Sequence, residues 1–260
     1  MTAFKHVHAS GRYARTPKTL TASLDHFKAL GASVITGTEA DDPARNHAVR
    51  RWARANGWGV QSRTQGTPFP NDAYVVWDKT VWSLVHKEHF KTTNRTWLGG
   101  ADGTVTVPGQ YAAYAVLEHV ATKNRVVFSS THTPSAVQSG PRWSVNARAV
   151  ASWNGSLRGW QLRTNALQDQ YAAKASVISA DWNVDLHNPF FRGVLKAAFP
   201  GRRLCWTGRM PAKGTFSNGD LIDASLLNGN LRVAAIDVLR DRVTVASSDH
   251  RAFIETLVFG

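Results

Sequence analysis

Four strand-like runs follow one another between Ala73 and His132, and they restrict the fold more than any other part of the chain. The runs are AYVVW, WSLVHKEHF, YAAYAVLEHV and RVVFSSTH, with turn-forming residues at Asp78-Lys79 and Lys123-Asn124. Runs rich in β-branched and aromatic residues, bounded by turn residues, are typical of β-strands. We therefore expect consecutive antiparallel pairs, a pattern that a barrel of eight alternating strands and helices does not contain.

Segments with apolar residues at helical spacing lie on both sides of this β-rich region. The helical pattern of LTASLDHFKAL ends at Gly31, just before the apolar strand ASVITGTE. Asp42 and Pro43 suit the N-cap and the first position of a second helix. Helices are expected over residues 20–30, 43–54, part of 139–171, and 189–198.

The last part of the chain contains three further strand-like runs, LIDASLL, RVAAIDVL and AFIETLVF. In the third run, Phe253, Leu257 and Phe259 share one face, and Ile254 and Val258 share the other. Because both faces are apolar, we expect this strand to lie inside a sandwich. The chain has no internal repeat and no linker rich in Pro, Gly or Ser, so a single domain over residues 1–260 is expected.

The charge balance favours an anionic partner. Lys and Arg number 31 against 18 Asp and Glu, a formal net charge of +13. Such a surplus attracts polyanions, so nucleic acid is the first expected partner, ahead of anionic lipid and phosphorylated small molecules. A charge that serves only solubility, or a general arginine bias, is the alternative.

The sequence also predicts a cytoplasmic, monomeric protein with no membrane partner. Cys205 is the only cysteine, which excludes an intramolecular disulfide, and MTAFKHVHASGRYAR lacks the apolar run of a secretion signal. No stretch approaches the eighteen consecutive apolar residues of a membrane-spanning helix.

Polar residues stand at the ends of several apolar strands, or in the loop just before one. They comprise four carboxylates, two imidazoles and an amide: Glu39, Asp181, Asp223, Asp249, His132, His250 and Asn183. Each alone is weak evidence, because charged residues at strand ends are commonly exposed surface groups. Together they can supply a site for a hard metal ion and a general acid or base.

The order of these motifs resembles that of the endonuclease/exonuclease/phosphatase superfamily, the relatives of deoxyribonuclease I. Glu39 in VITGTE corresponds to the acidic metal ligand after the second strand, and STHTPS carries the central histidine, His132. ADWN corresponds to the superfamily's GDFN, LIDASLL contains the matching Asp223, and the terminal SDH ends at His250. Five motifs in the correct order cover almost the whole chain.

The resemblance implies an α/β fold, a four-layer α-β-β-α sandwich in which two mixed or mostly antiparallel β-sheets pack face to face beneath outer helices. It implies a Mg²⁺-dependent phosphodiester hydrolase, and the basic charge favours an intracellular endonuclease that cleaves DNA with low sequence specificity. STHTPS resembles the nonspecific nucleases more than the abasic-site repair enzymes, which have asparagine at the position of His132. The absence of a signal segment suggests a bacterial or phage origin.

The resemblance also assigns roles to the individual residues. Glu39 and Asp249 would hold the metal ion, and Asp223 would orient His250. His250 and Asp181 would act on the attacking water, because a phosphodiester needs an activated nucleophile and charge neutralisation. His132 would contact the scissile phosphate, and Asn183 would donate hydrogen bonds to the phosphate or the nucleophile.

Three positions depart from the superfamily pattern or extend it. The expected asparagine after the first strand is replaced in FKHVHASGRY, where His8 is the nearest metal-binding side chain and would favour Mn²⁺ or a similar ion. Tyr74 stands where relatives place a phosphate contact, although an aromatic residue in AYVVW favours a core position. Arg142 or Arg95 would replace an arginine that relatives carry before the central histidine.

Other functions stay open at this point. The same catalytic residues serve phosphatases and phosphodiesterases that act on lipid, inositol-phosphate or nucleotide substrates. A noncatalytic member that only binds nucleic acid is a further alternative. His6 and His8 also form the HxH pair with which amidohydrolase barrels bind metal, a reading that the paired strands disfavour.

Overall fold

The computed structural model describes residues 2–10, 16–40, 42–62, 73–92, 96–97, 106–107, 111–133, 138–139, 144–145, 147–206, 210–216, 218–240 and 250–260. In chain order, the strands of this part of the chain are β1 (Ala3–Ser10), β2 (Ala32–Thr38), β3 (Trp58–Gln61), β4 (Tyr74–Asp78), β5 (Trp82–Lys91), β6 (Thr96–Trp97), β7 (Thr106–Val107), β8 (Tyr111–His119), β9 (Arg125–His132), β10 (Gln138–Ser139), β11 (Ser144–Val145), β12 (Ala175–Asp181), β13 (Arg203–Leu204), β14 (Asp223–Gly229), β15 (Leu231–Val238) and β16 (Phe253–Phe259). The helices are α1 (Pro17–Ala29), α2 (Pro43–Ala55), α3 (Ala147–Gln170) and α4 (Pro189–Ala198).

Two six-stranded sheets form the centre of the molecule. The first has the order β15-β16-β1-β2-β4-β3 and the second the order β13-β14-β12-β9-β8-β5. Both are mixed, because β1 runs parallel to β2 and β9 runs parallel to β12 while their other neighbours are antiparallel. The shared core between the sheets includes Phe4, whose ring meets that of Trp82 edge to face at 5.0 Å.

Helices cover the outer faces of both sheets. Leu24 and Phe27 of α1 and Val49 and Trp52 of α2 pack with Ile35 of the first sheet in a separate apolar cluster. On the second sheet, the indole nitrogen of Trp160 in α3 donates to Ser129 Oγ of β9 at 3.0 Å, and α3 contacts α4 through Trp153 and Phe191. The predicted four-layer α-β-β-α sandwich is therefore confirmed. Among the described helices, none combines the length and the apolar character needed to cross a bilayer.

Local capping explains where the first two helices begin. Thr16 caps α1 by accepting from the Thr19 amide at 3.2 Å, so this helix starts at Pro17, earlier than the apolar spacing predicted. Asp42 caps α2 as predicted, because its Oδ1 accepts from the Ala44 amide at 2.8 Å. Gly31, with φ of +84°, follows the first helix in the left-handed conformation that glycine tolerates best.

The turn at Asp78 does not join an antiparallel pair, which corrects one sequence prediction. β4 pairs with β2 and β3 in the first sheet, whereas β5 pairs with β8 in the second. Asp78 Oδ1 accepts from the Thr80 amide at 2.8 Å, and the chain crosses between the sheets at this turn. Trp77 and Trp82, on either side of it, are both buried in the shared core. The consecutive series β5-β8-β9 is confirmed.

The last strand is also less enclosed than its sequence predicted. Phe253, Leu257 and Phe259 are buried as expected, but Ile254 and Val258 on the opposite face are only half-buried. The reason lies in the outer layer, where the cluster under α1 and α2 is built chiefly on β1, β2 and β4 and includes Ile254 only at its margin.

Gly37 is required by the packing of Tyr74. A Cβ at Gly37 would overlap the Tyr74 ring, which is only 1% exposed. We expect Gly37→Ala to lower the free energy of unfolding by about 1–3 kcal/mol, the usual cost of overpacking a core. Urea denaturation followed by circular dichroism measures this. The control is Gly155→Ala in α3, where nothing lies within 4 Å of the added methyl group, and this variant should not destabilise the protein. Equal effects of the two variants would contradict the explanation.

Candidate active site

Strand pairing brings three of the predicted residues into one row. Asp181 ends β12, and it is paired with His132 of β9 on one side and with Asp223 of β14 on the other. Neighbouring strands lie about 5 Å apart, so side chains in one row can contact each other. His132 Nε2 lies 3.5 Å from Asp181 Oδ2. Residues 49 and 42 positions apart in the sequence thus become neighbours at one end of the central strands of the second sheet.

His250 completes this row from the chain that leads into β16. Its Nδ1 lies 2.8 Å from Asp223 Oδ2, and its Nε2 lies 3.7 Å from Asp181 Oδ2. Burial by itself would lower the pKa of His250, but the charges of Asp223 and Asp181 outweigh it and raise the pKa to about 9. An imidazolium therefore donates to Asp223 through Nδ1 at neutral pH and presents Nε2 towards Asp181.

Asp181 is held by its own loop. Its Oδ1 accepts from the Asn183 amide at 2.9 Å, and the Asn183 side chain donates to the Thr133 carbonyl at 2.7 Å. Asn183 has a φ of +52°, a conformation that asparagine adopts more readily than most residues. Burial raises the pKa of Asp181, as does the Asp223 charge, while His250 and His132 act in the opposite direction. Such a carboxylate is suited to proton transfer.

Two overlapping groups at this edge can offer ligands to a metal ion. Glu39, His132 and Asp181 each place a ligand atom within 4.8 Å of the others, and so do Asp181, Asp223 and His250. Glu39, the residue after β2, has a φ of +61°, which is rare for a residue with a side chain and clusters at functional sites. The carboxylate oxygens of Glu39 and Asp181 are the donors that hard divalent cations prefer. The residues present therefore fit Mg²⁺ or Mn²⁺.

His8 lies behind this site and belongs to neither group of ligands. Its Nδ1 is 2.9 Å from Thr36 Oγ1, and its Nε2 faces Asp223 Oδ1 at 3.8 Å. His6 contacts the same Thr36 hydroxyl at 2.9 Å and Glu255 Oε1 at 2.7 Å. The HxH pair thus forms a buried polar chain that runs from Glu255 to the Asp223 carboxylate.

Ser10, rather than the predicted metal-binding residue His8, lies at the end of β1 nearest the site. It pairs with Thr38, immediately before Glu39, and the two hydroxyl oxygens lie 2.7 Å apart. Ser10 is therefore the β1 residue at the level of the site, two residues beyond His8. The strand register shows this, and the sequence alone offered no signal for it.

Burial of His8 predicts an acid-sensitive fold. Desolvation lowers the pKa of His8 to about 3, despite the nearby Asp223 charge. The unfolded chain therefore binds a proton below about pH 6.5 that folded His8 does not. The contribution of His8 to stability therefore falls as the pH falls below about 6.5, by about 1.4 kcal/mol per unit until the folded pKa is reached. His89, with its pKa lowered to about 4 mainly by burial, acts in the same direction.

Urea denaturation between pH 7 and pH 4 measures this slope. His8→Gln should make the dependence shallower, because the titrating imidazole is removed. His47→Gln, at an exposed position of α2, should leave it unchanged. An identical slope in His8→Gln and the parent protein would contradict the assignment.

The other predicted residues have different outcomes. Tyr74 is buried in the cluster beneath α1 and α2, as the alternative core interpretation required. Asp249 and Arg142 lie outside the described residues, as does Arg95.

Sequence reasoning missed two residues, Thr215 and Phe216, that contact Asp223 and His250. Thr215 Oγ1 accepts from the Asp223 amide at 2.9 Å, which fixes the backbone of that carboxylate. Phe216 forms a β-bridge with His250, and their rings meet edge to face at 5.0 Å. Both residues lie in an irregular segment, where neither apolar spacing nor a motif marks them.

These features define a class of protein: a four-layer α/β sandwich in which carboxylates and imidazoles gather at the ends of the central strands. No protein-family model and no curated protein sequence matches the chain. Solved structures do match it. A protein of the endonuclease/exonuclease/phosphatase family from Bacteroides thetaiotaomicron has a TM-score of 0.76 at 14% identity, over 100% of this chain and 96% of that one.

Two further structures are similar. A mannosyl-6-phosphatase from Bacteroides thetaiotaomicron has a TM-score of 0.72 at 15% identity, over 98% of this chain and 100% of that one. D. rerio TDP2, complexed with a single-strand DNA product, has a TM-score of 0.65 at 11% identity, over 99% of this chain and 100% of that one. The chain therefore has the endonuclease/exonuclease/phosphatase fold that its motifs predicted.

Proposed function

We propose that the chain is a divalent-metal-dependent phosphodiester hydrolase that cleaves DNA with low sequence specificity. The observation that carries this proposal is the row of His132, Asp181 and Asp223, completed by His250 at 2.8 Å from Asp223. Phosphodiester hydrolysis needs a base for water and positive charge near the phosphate, and these residues offer both.

Each residue of the row has a distinct task in this proposal. Asp223 fixes the ring of His250 through Nδ1, so that Nε2 faces the reaction site. The imidazolium of His250, with its pKa near 9, stabilises the charge that develops on the phosphate. Asp181, whose pKa is raised by burial, accepts the proton of the attacking water. His132 is placed to contact the phosphate from the other side of Asp181.

The metal ion would be held by Glu39, near Asp181, together with Asp249, the ligand that the sequence predicts and that lies outside the described residues. When bound, it neutralises phosphate charge and lowers the pKa of coordinated water. Glu39 has the required position because β2 ends at Thr38, beside the end of β1. Its contribution can be tested through metal binding itself as well as through activity.

DNA is supported as the substrate by the net charge of +13. The structural likeness to TDP2, solved with a single-strand DNA product, is consistent with it. The likeness to a mannosyl-6-phosphatase supports the second candidate, a phosphatase or phosphodiesterase acting on a small phosphorylated substrate. Fold alone does not choose between them, because substrate preference depends on surface loops.

A substrate panel tests the proposal. Plasmid DNA, single-stranded DNA, RNA, bis(p-nitrophenyl) phosphate and sugar and inositol phosphates are incubated with Mg²⁺ or Mn²⁺, and with EDTA as the control. We expect nicking of plasmid DNA that EDTA abolishes. Faster turnover of the phosphomonoesters would favour the second candidate, and DNA binding without any hydrolysis would identify a noncatalytic member.

A further inference from the structure

A basic cleft lies where the edge strands of the two sheets, β3 and β5, come together. Its volume is about 540 Å³, and its lining includes four cationic residues, Arg50, Arg54, Lys79 and Lys87. None of the described residues that line it is acidic. Lys87 on β5 donates through Nζ to the Val60 carbonyl of β3 at 3.1 Å, which joins the two walls.

The cations of this edge cleft affect one another. The pKa of Lys87 is lowered by burial and then by the charges of Arg50 and Lys79. Glu88, the acidic residue next in sequence, is engaged elsewhere, because it pairs with Arg163 and His86. Like charges gathered around a concave surface repel one another, and a bound anion relieves this repulsion.

The floor of the cleft identifies the part of a nucleic acid that it suits. Trp58, Trp77 and Trp82 line the floor but are at most 3% exposed. They therefore offer no ring face on which a base can stack. The exposed cationic residues of the cleft are Arg54, Lys79 and Lys87, and cationic head groups bind phosphate without reading sequence. Among the described residues of the lining, Leu84 alone is a large apolar residue with an exposed side chain, at 45%, which is too little apolar surface for membrane insertion.

Strand β4 connects the cleft with the candidate active site. β4 begins at Tyr74, opposite Gly37 and close to Glu39, and ends beside Lys79. At 3.3 Å per residue, the five steps from Tyr74 to Lys79 span about 17 Å. The phosphates of one DNA strand rise 3.4 Å per step, so about five base pairs cover this distance. A duplex is therefore long enough to extend from the end of β4 near Glu39 to the end that precedes Lys79.

We propose that the edge cleft is a second binding site, which holds the phosphate backbone of a nucleic acid whose other part lies in the catalytic site. This rests on the proposed function for the identity of the ligand. It predicts that the cleft contributes affinity and salt dependence without base preference. It also predicts that removal of its charges leaves the chemical step intact.

The test compares two triple variants, each of which removes one arginine and two lysine charges. The cleft variant carries Arg54→Gln, Lys79→Gln and Lys87→Gln. The control carries Arg158→Gln, Lys18→Gln and Lys174→Gln, at exposed positions elsewhere. Fluorescence anisotropy with a 20-base-pair duplex in EDTA gives affinity against salt. The cleft variant should lose at least tenfold in affinity at low salt, and its salt slope should fall by about 2–3, at 0.9 per phosphate contact.

Further measurements distinguish a failure of the second binding site from a failure of the proposed hydrolase. Equal losses in the two variants would show a net-charge effect and overturn the second site. Loss of binding to phosphatidylserine vesicles, with DNA binding retained, would assign the cleft to lipid and also overturn the proposal. Hydrolysis of bis(p-nitrophenyl) phosphate should be the same in both variants and the parent. If the parent does not hydrolyse it or DNA, the proposed hydrolase fails, while the binding comparison still decides the role of the cleft.

Discussion

His250→Ala is expected to reduce DNA hydrolysis by about 10³-fold, at the upper part of the range for loss of a residue that acts in proton transfer or charge stabilisation. The imidazole lies 2.8 Å from Asp223 and 3.7 Å from Asp181, so no other described side chain is placed to present the same cation. DNA affinity in EDTA should change less than threefold, because most phosphate contacts come from other cations. Single-turnover cleavage of a labelled duplex measures the chemical step.

The same substitution also affects stability. It leaves two buried carboxylates without their cationic partner, and we expect the free energy of unfolding to fall by about 3 kcal/mol. His250→Gln retains an amide donor towards Asp223 and is the second variant if His250→Ala does not fold. His47→Ala, at an exposed imidazole on α2, is the control and should retain full activity. Full activity of folded His250→Gln would remove His250 from the reaction.

Much of the fold was predictable because its determinants are local. The strands β5, β8 and β9 contain β-branched and aromatic residues and are bounded by turn residues, and the capping residue of α2 stands directly before a proline. The sheet exchange at Asp78 was not predictable from these rules. A tight turn is equally compatible with a hairpin and with a crossing between sheets. The packing of Trp77 and Trp82, on either side of the turn, determines which of the two forms.

The site was predictable to the extent that motif order encodes it. His132, Asp181, Asp223 and His250 do come together, although a separate strand or loop supplies each. The level of a residue along a strand was not predictable, since register depends on the partner strand. That is why Ser10, rather than His8, stands beside Thr38 and Glu39.

The pairing of Glu255 with His6 shows a different limit of sequence reasoning. The two residues are 249 positions apart in the chain, and both are fully buried. In the sequence, Glu255 stands as a charged residue within a mainly apolar strand, without any local sign of its partner. A buried carboxylate requires a partner, but only the β1-β16 register identifies which side chain provides it.

Glu39→Gln should separate the metal site from the His250-Asp223 pair. Glutamine keeps the size of the side chain and one neutral oxygen but removes the negative charge that favours a divalent cation. We expect the metal concentration for half-maximal rate to rise by about tenfold, which corresponds to about 1.4 kcal/mol of lost binding free energy, and cleavage at subsaturating Mg²⁺ to fall by up to about tenfold. Titration of Mn²⁺ by electron paramagnetic resonance measures binding without turnover.

The control for this experiment is Glu118→Gln. Glu118 pairs with Arg125 at 3.0 Å on β8 and β9, at the end of these strands opposite His132, so its loss should alter neither metal binding nor cleavage. Full rescue of Glu39→Gln by high Mg²⁺ indicates that the charge of Glu39 acts through the ion, because saturation restores the bound state. Reduced cleavage with an unchanged metal requirement would place the ion elsewhere and leave Glu39, strained at a φ of +61°, with a direct role at the phosphate.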